Sequence, residues 1–320
     1  MKHVFLSAAL LFSLFTLTSC EKDDQSSVKG VAQFEITDAP IDDANVQGAF
    51  VTVTAVKVDG QVISNFSGKK TIDLLALQNG NTSVLGTGEL KAGTYNNVSL
   101  VLDYASDANG NSPGCYVLTT DNVKHDLKAS SSTTGEFKIN SGAFTVEEGQ
   151  TSNVVIDFDL RKTIRYEDNP SSSDKYNFVS DAELNSGLRM VSKQKAGTIT
   201  GQCQDNMGLA QKIIVYAYKK GTYNKQTEMS GQGSGQIQFK NCVTSATVDK
   251  QGNYKLAFLE EGDYELHFIA YEDSNGDGKL EVKGELSLSL LGGINLDLTN
   301  ISVQSSAEVT ASVLVTGLIP

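Results

Sequence analysis

The sequence predicts an all-β protein built as two tandem β-sandwich domains, and three observations carry that expectation. Val, Ile, Thr, Tyr and Phe alternate with polar residues over short runs, the period-2 pattern of strands with one buried face. Outside residues 1–19, no long segment repeats apolar residues at helical spacing. The chain beyond position 19 is long enough for two domains of ordinary size.

The start of the chain stands apart. Lys2 and His3 lead into VFLSAALLFSLFTLT, which carries no charge. The stretch falls short of the about 20 apolar residues of a membrane-crossing helix. Its positive start, short apolar centre and small residues before the end describe a cleavable secretory signal over residues 1–19. Leu17-Thr18-Ser19-Cys20 resembles the lipobox of bacterial lipoproteins, in which a peptidase cuts before the cysteine and the new terminus is acylated. That resemblance implies three acyl chains on Cys20, and several chains are what make anchoring stable. The competing reading is an ordinary secreted protein with an incidental Cys20. Glu21-Lys22-Asp23-Asp24 is similar to the lysine-plus-acids export tag of Bacteroidetes lipoproteins displayed at the cell surface, the alternative being a solvated acidic linker. The acylated cysteine and tether occupy 20–28, and from Glu21 to Val28 the chain reaches under roughly 30 Å at about 3.3 Å per residue. The expected location is the outer membrane, lipid-anchored and facing the cell exterior, with the membrane as partner.

The first domain is expected over 29–192. In VAQFEITDAP, Ala32, Phe34 and Ile36 share one face and Gln33, Glu35 and Thr37 the other, until Pro40 stops the strand. AFVTVTAVKVDG places Val51, Val53 and Ala55 on one face, then Val56 and Val58, so a bulge is expected near Ala55. TIDLLALQNG crowds Ile72, Leu74, Leu75 and Leu77 together, as one helical turn or a tucked-in loop. YNNVSLVLDYA aligns Leu100, Leu102 and Tyr104, and NVVIDFDL aligns Val154, Ile156, Phe158 and Leu160. The polar run EDNPSSSDK, 167–175, reads as a flexible excursion. Taken in order, TDAPIDD, VTVTAVKV, TIDLLALQNG, AGTYNNVSLVLDY and VVIDFDLRKTI resemble the lipoprotein family of domain of unknown function 4382, over about residues 29–192. The resemblance implies a β-sandwich and a lipoprotein, and brings no activity with it.

A second domain is expected over 196–320, after SKQKAG. GTITGQC, KIIVYAYKK and VDKQGNYKLAFLEEGDYELHFIAYED are similar to the transthyretin-like, carboxypeptidase regulatory-like β-sandwich, chiefly through DKQGNY and EEGDYEL. Gly252 permits a tight turn before a strand with Tyr254, Leu256 and Phe258 inward. Glu261-Gly262-Asp263 then turns into a strand with Tyr264, Leu266, Phe268 and Ala270 inward. Both resemblances make the pair an Ig-like or transthyretin-like tandem.

Charge and residue inventory narrow the function. The formal net charge is -12, and loss of Lys2 with the signal takes it to about -13, which disfavours contact with phosphate backbones and hence nucleic acid. Beyond the signal the only histidines are His125 and His267, and both read as structural. No nucleophile elbow, phosphate-cradling glycine loop or paired-histidine metal spacing is present, so catalysis is not expected and a carboxylate-based hydrolase is a remote alternative. Three cysteines remain after Cys20: Cys115 reads as a small buried residue, and Cys203 and Cys242 as a candidate disulfide in an oxidising compartment. In EDSNGDGKLE, Asp273, Asn275 and Asp277 alternate before Gly278, the first half of a calcium loop, with the Lys279 carbonyl next and Glu281 or Glu285 able to swing in. The competing reading is an Asn-Gly and Asp-Gly turn between strands, since position twelve is Gly284. Asp38, Asp42 and Asp43 around the proline turn, and Asp157 with Asp159 on one strand face, read as turn chemistry and an exposed face rather than a cation site. The expected role is a non-catalytic binding or structural module for a glycan, protein or matrix ligand. The alternative is a fimbrial or other assembly subunit in which AEVTASVLVTGLIP exchanges a strand with a neighbour.

Overall fold

A computed structural model of the chain describes residues 28–39, 43–129, 134–167, 175–233, 235–292 and 296–319. Cys20, the signal segment, the tether before Val28, Asp42 and most of the 167–175 excursion lie outside the described residues. None of the described helices is long and apolar enough to cross a membrane.

The chain is all-β, with two sheet-rich halves. In the first half a four-stranded sheet runs Leu188–Ser192, Thr151–Phe158, Lys29–Thr37, Ser83–Lys91. Its central pair is parallel, with Phe34 opposite Val154 and Ile36 opposite Ile156. A second sheet runs Thr134–Ile139, Val98–Asp103, Val46–Val58, Tyr116–Thr119, Lys124–Asp126, and two short strands also pair with Val46–Val58. The inward alternates of both sheets, among them Phe34, Ile36, Val51, Val56, Leu100, Leu102, Phe137, Ile156 and Phe158, form one core. The bulge expected near Ala55 is present as a register shift between Val53 and Ala55 against the 98–103 strand. Of the two readings of TIDLLALQNG, the helical turn is the one formed: Leu74–Leu77 is a 3-10 turn, and Asp73 caps it by accepting from Leu75 N at 3.1 Å.

NVVIDFDL departs from expectation at its end. The strand stops at Phe158, because Asp159 takes an extended cap conformation and accepts from Lys162 N, which starts the short helix Leu160–Thr163. Leu160 is still buried, so the apolar pattern held while the backbone changed.

The second half is one strongly curled sheet in the order Thr244–Thr247, Lys212–Lys219, Gly262–Glu272, Glu281–Leu290, Val313–Ile319, Ala196–Gln204, Asn253–Glu260. Its two end strands lie against each other. KIIVYAYK is buried on both sides, which its nearly unbroken apolar run requires. Ile213, Val215 and Ala217 face the interior of the curl. Ile214, Tyr216 and Tyr218 join a second cluster with Phe239, Cys242, Ile269 and Tyr271. Tyr254 and Leu256 point inward as expected, but Phe258 does not. It sits at φ 56°, the ladder with Ala196–Gln204 shifts register there, and Leu259 takes the buried place. The terminal stretch invoked by the strand-exchange alternative pairs within its own chain: Glu308–Thr310 with 198–200, Val313–Ile319 with 285–290, and Val313 and Leu314 also with 203–204.

Candidate functional site

The two halves meet along a buried polar seam. Arg161, on the short helix after the 151–158 strand, is 5% exposed and reaches into the second half. Its NH1 donates to the carbonyls of Gln238 (2.8 Å) and Phe239 (3.0 Å). Its NH2 donates to Asp159 Oδ2 at 3.0 Å and to Cys242 Sγ at 2.9 Å. Lys162 Nζ donates to the Cys242 carbonyl at 2.6 Å. Arg189 pairs with Asp157 at 2.7 Å and donates to the Phe258 carbonyl at 2.8 Å, so the bulge at Phe258 supplies an acceptor across the joint. Asp38 completes the seam by accepting from Leu160 N at 3.0 Å, while its second oxygen has no hydrogen-bond partner.

These positions correct the reading of Asp157 and Asp159 as an exposed strand face. Both are 4% exposed, and Asp38 is 6% exposed. The alternation was correct, but the face it sends them to is covered by the second half. The environment separates the three acids. Burial, then the charges of Asp159 and Asp157, hold the Asp38 carboxyl well above the usual carboxylate range. Burial also raises Asp157, against the opposing charge of Arg189. For Asp159 burial is outweighed by Arg161 and Lys162, and its pKa is lowered. Burial works against the Arg161 charge too, yet Asp159 holds the guanidinium charged.

Beside the seam lies a cleft of about 290 Å³ lined from both halves: Asp43, Arg161, Tyr166 and Tyr176 from the first, Gln236, Gln238 and Lys279 to Val282 from the second. Tyr166 and Tyr176 face each other across the hairpin Ile164–Tyr166/Tyr176–Phe178, with ring centroids 5.3 Å apart. Tyr176 OH donates to Asp43 Oδ2 at 2.7 Å, and Lys279 Nζ lies 5.0 Å from the Tyr166 ring centroid. A second hollow of about 270 Å³, lined in part by His125, Lys175 and Asp277, shares the two tyrosines.

The predicted calcium residues are brought together in the turn between 262–272 and 281–290. Asp273 accepts from Gly276 N (2.6 Å) and Gly278 N (3.0 Å), and Asp277 from Lys279 N (2.8 Å). Asn275 Oδ1 accepts from Asp277 N at 2.9 Å. Glu281 is the acid that swings in: its Oε2 accepts from Ser274 N and Oγ, both at 2.9 Å, whereas Glu285 lies 2.6 Å from His267 Nδ1. Among the described residues no group of three His, Cys, Asp or Glu side chains is placed to hold a metal. The turn also docks onto the first half. Asn45 Nδ2 donates to the Asp277 carbonyl at 3.0 Å, and Asp43 forms a backbone bridge with Lys279.

The candidate Cys203–Cys242 disulfide is not formed in this structure. Both are buried free thiols in different clusters, Cys203 inside the curl and Cys242 on its outer side against Arg161. Burial pushes the thiols of Cys203 and Cys115 up to about 12. His125 Nε2 lies 3.2 Å from Thr119 Oγ1. His267 stacks on Tyr223 with centroids 3.5 Å apart, covered rather than exposed on its strand face. The sequence reading missed Arg161, Arg189 and the tyrosine pair. An arginine two residues after two alternate acids, in DFDLR, and a tyrosine on each side of a polar excursion were the available signals.

Fold and seam together define a β-rich protein whose halves are joined through buried charges. Residues 29–180 match the family described as "Domain of unknown function (DUF4382)". No curated protein matches the chain. Similar solved structures include a leucine-rich repeat protein from Bacteroides thetaiotaomicron VPI-5482 (12% identity, 89% of this chain and 26% of that one, TM-score 0.21). The Bacillus anthracis TIE protein is 12% identical over 90% of this chain and 34% of that one, with TM-score 0.19. BcpA, the major pilin subunit of Bacillus cereus, is 11% identical over 90% of this chain and 70% of that one, with TM-score 0.21. The chain thus spans well under two thirds of the first two. Likeness at this level speaks to neither ligand nor assembly.

Proposed function

We propose that the chain is a non-catalytic binding module, lipid-anchored through Cys20 at the outer membrane and facing the cell exterior, with its ligand site at the joint of the halves. The observation that carries this reading is the cleft itself, whose walls come from both halves and are held in place by the seam. Preformed concave sites with an aromatic wall and a few placed polar groups are the usual form of ligand sites. The acids beside it are already engaged, Asp43 by Asn45 N and Tyr176 OH, and Glu281 by Ser274, which suits holding better than proton transfer. Strand exchange is less favoured, because the 313–319 strand is paired along its length with 285–290 and at Val313 and Leu314 also with 203–204.

The test is cell fractionation with surface protease treatment. The native chain is expected in the envelope and cut on intact cells, and Cys20→Ala is expected in the soluble fraction. Native protein that is unlipidated, or protected on intact cells, sinks the location. Calcium at Asp273, Asn275, Asp277, the Lys279 carbonyl and Glu281 is a subordinate part of the proposal. A melting temperature unmoved by millimolar calcium ends that part alone.

A further inference from the structure

We propose that residues 220–243 are a clasp that the second half carries for the first. It grips the first half and builds one wall of the cleft, and Glu228, which lies outside the cleft lining, is the residue that positions it. The strands Lys212–Lys219 and Thr244–Thr247 pair as neighbours, with Ala217 opposite Thr244. About two to five residues would close such a hairpin, and connections beyond about 15 residues are uncommon and usually functional. Here the chain makes a long excursion, all of it described except Ser234. The interior core of the curl does not depend on it: among the described residues, none of 220–242 belongs to that cluster.

The excursion folds on itself around Glu228. This residue ends the short helix Lys225–Glu228, which Asn224 caps by accepting from Thr227 N at 3.0 Å, and it is 2% exposed. Its Oε2 accepts from Tyr218 OH at 2.9 Å and from Asn241 N at 3.1 Å, and its Oε1 accepts from Asn241 Nδ2. Its backbone carbonyl accepts from Phe239 N at 2.7 Å. One buried side chain thus ties the start of the clasp to its end, and both to the strand that carries Tyr218. What Glu228 fixes is what the joint uses. Gln238 and Phe239 give Arg161 its two carbonyl acceptors, Gln236 and Gln238 line the cleft, and Ile237 enters the core of the first half. The tip approaches closely because Gly235 has no side chain: a Cβ there would stand 3.1 Å from Val179 and 3.4 Å from Arg165, both of the first half.

Hydrogen exchange and scanning calorimetry on the full chain test this. Glu228→Ala is expected to lower amide protection over 225–242 about 100-fold, while the strands 196–204 and 262–272 lose less than about threefold. Glu228→Gln keeps an oxygen for Asn241 and lets the Tyr218 hydroxyl accept, so it should restore protection about tenfold or more over the Ala variant. Gly235→Leu alters neither Glu228 nor the interior of the curl, and should broaden or split the unfolding transition by lifting the clasp off the first half. Equal loss of protection in the clasp and in the curl strands would make the insertion an integral part of the second half and overturn the proposal. Unchanged protection in Glu228→Ala, or a Gln variant no better than the Ala one, overturns the role of Glu228. A Gly235→Leu chain that melts as the native one does overturns the grip on the first half. Neither the lipid anchor nor a ligand enters these measurements.

Discussion

Asp38 is the least comfortable group in the seam, since one of its oxygens is buried without a partner and Asp157 and Asp159 lie close enough to raise its pKa. Its folded pKa stands above the unfolded value near 4, so its contribution is most favourable below that value and declines as pH rises toward the folded one. Asp38→Asn keeps an acceptor for Leu160 N and removes the ionisation. The variant is therefore expected to gain melting temperature over the native chain as pH rises above about 4; parallel curves would refute the assignment. Asp159 behaves oppositely. Its lowered pKa contributes stability that is present above pH 4 and lost as pH falls through the folded value. Arg161→Met leaves that buried carboxylate with Lys162 as its one cation, at 3.4 Å, and is expected to cost about 3 kcal/mol in denaturant unfolding, whereas adding Asp159→Leu should recover part of the loss. A double variant no better than the single one would mean that the backbone acceptors of Arg161, not Asp159, hold the seam.

The turn from Asp273 to Glu281 shows how one element can carry two demands. Gly278 sits at φ 88°, which favours glycine, and a Cβ there would meet the Asn45 side chain. Gly278→Ala is expected to destabilise by about 1–2 kcal/mol through the left-handed backbone, plus about 1 kcal/mol for the Asn45 to Asp277 hydrogen bond it displaces. In an Asn45→Ala background only the backbone part should remain, and an equal loss in both backgrounds would show that the turn does not press on the first half. The sequence marked this turn through its alternating acids and glycines, yet could not tell that it is a docking element. Asn45 and Asp277 are 232 positions apart, and Arg161 and Cys242 are 81 apart. Strand faces and the Ala55 bulge were legible because period-2 burial is a local pattern. Asp157 and Asp159 were misread by the same rule, since it assigns a face without saying what will cover it. Phe258 was misplaced because a bulge shifts the period by one, and nothing in its own residues announces the Arg189 guanidinium that its carbonyl meets.

Two sheet-rich halves joined by apolar contact alone could slide or separate, whereas buried charges with directional partners fix one geometry, because each displaced member would be left unpaired in a dry site. The seam ties Arg161 and Lys162 to 238–242, and Arg189 to Phe258, while the 273–281 turn grips Asn45 and Asp43 from another side. Ile237 reaches from the second half into the core of the first. A chain linked in this way should unfold as one unit although each half has its own core. Calorimetry at pH 7 is expected to give a single transition whose van't Hoff and calorimetric enthalpies agree. Arg161→Met should broaden or split it, since the variant removes three hydrogen bonds across the joint, leaving those of Lys162, Arg189 and the 273–281 turn, and does not touch the strand cores of either half. The change should be accompanied by loss of ligand binding at the cleft, whose walls would no longer be held at one separation. Two transitions in the native chain, or a single unbroadened transition in a variant that is folded but weakened, would show that the seam is not what makes the halves one body.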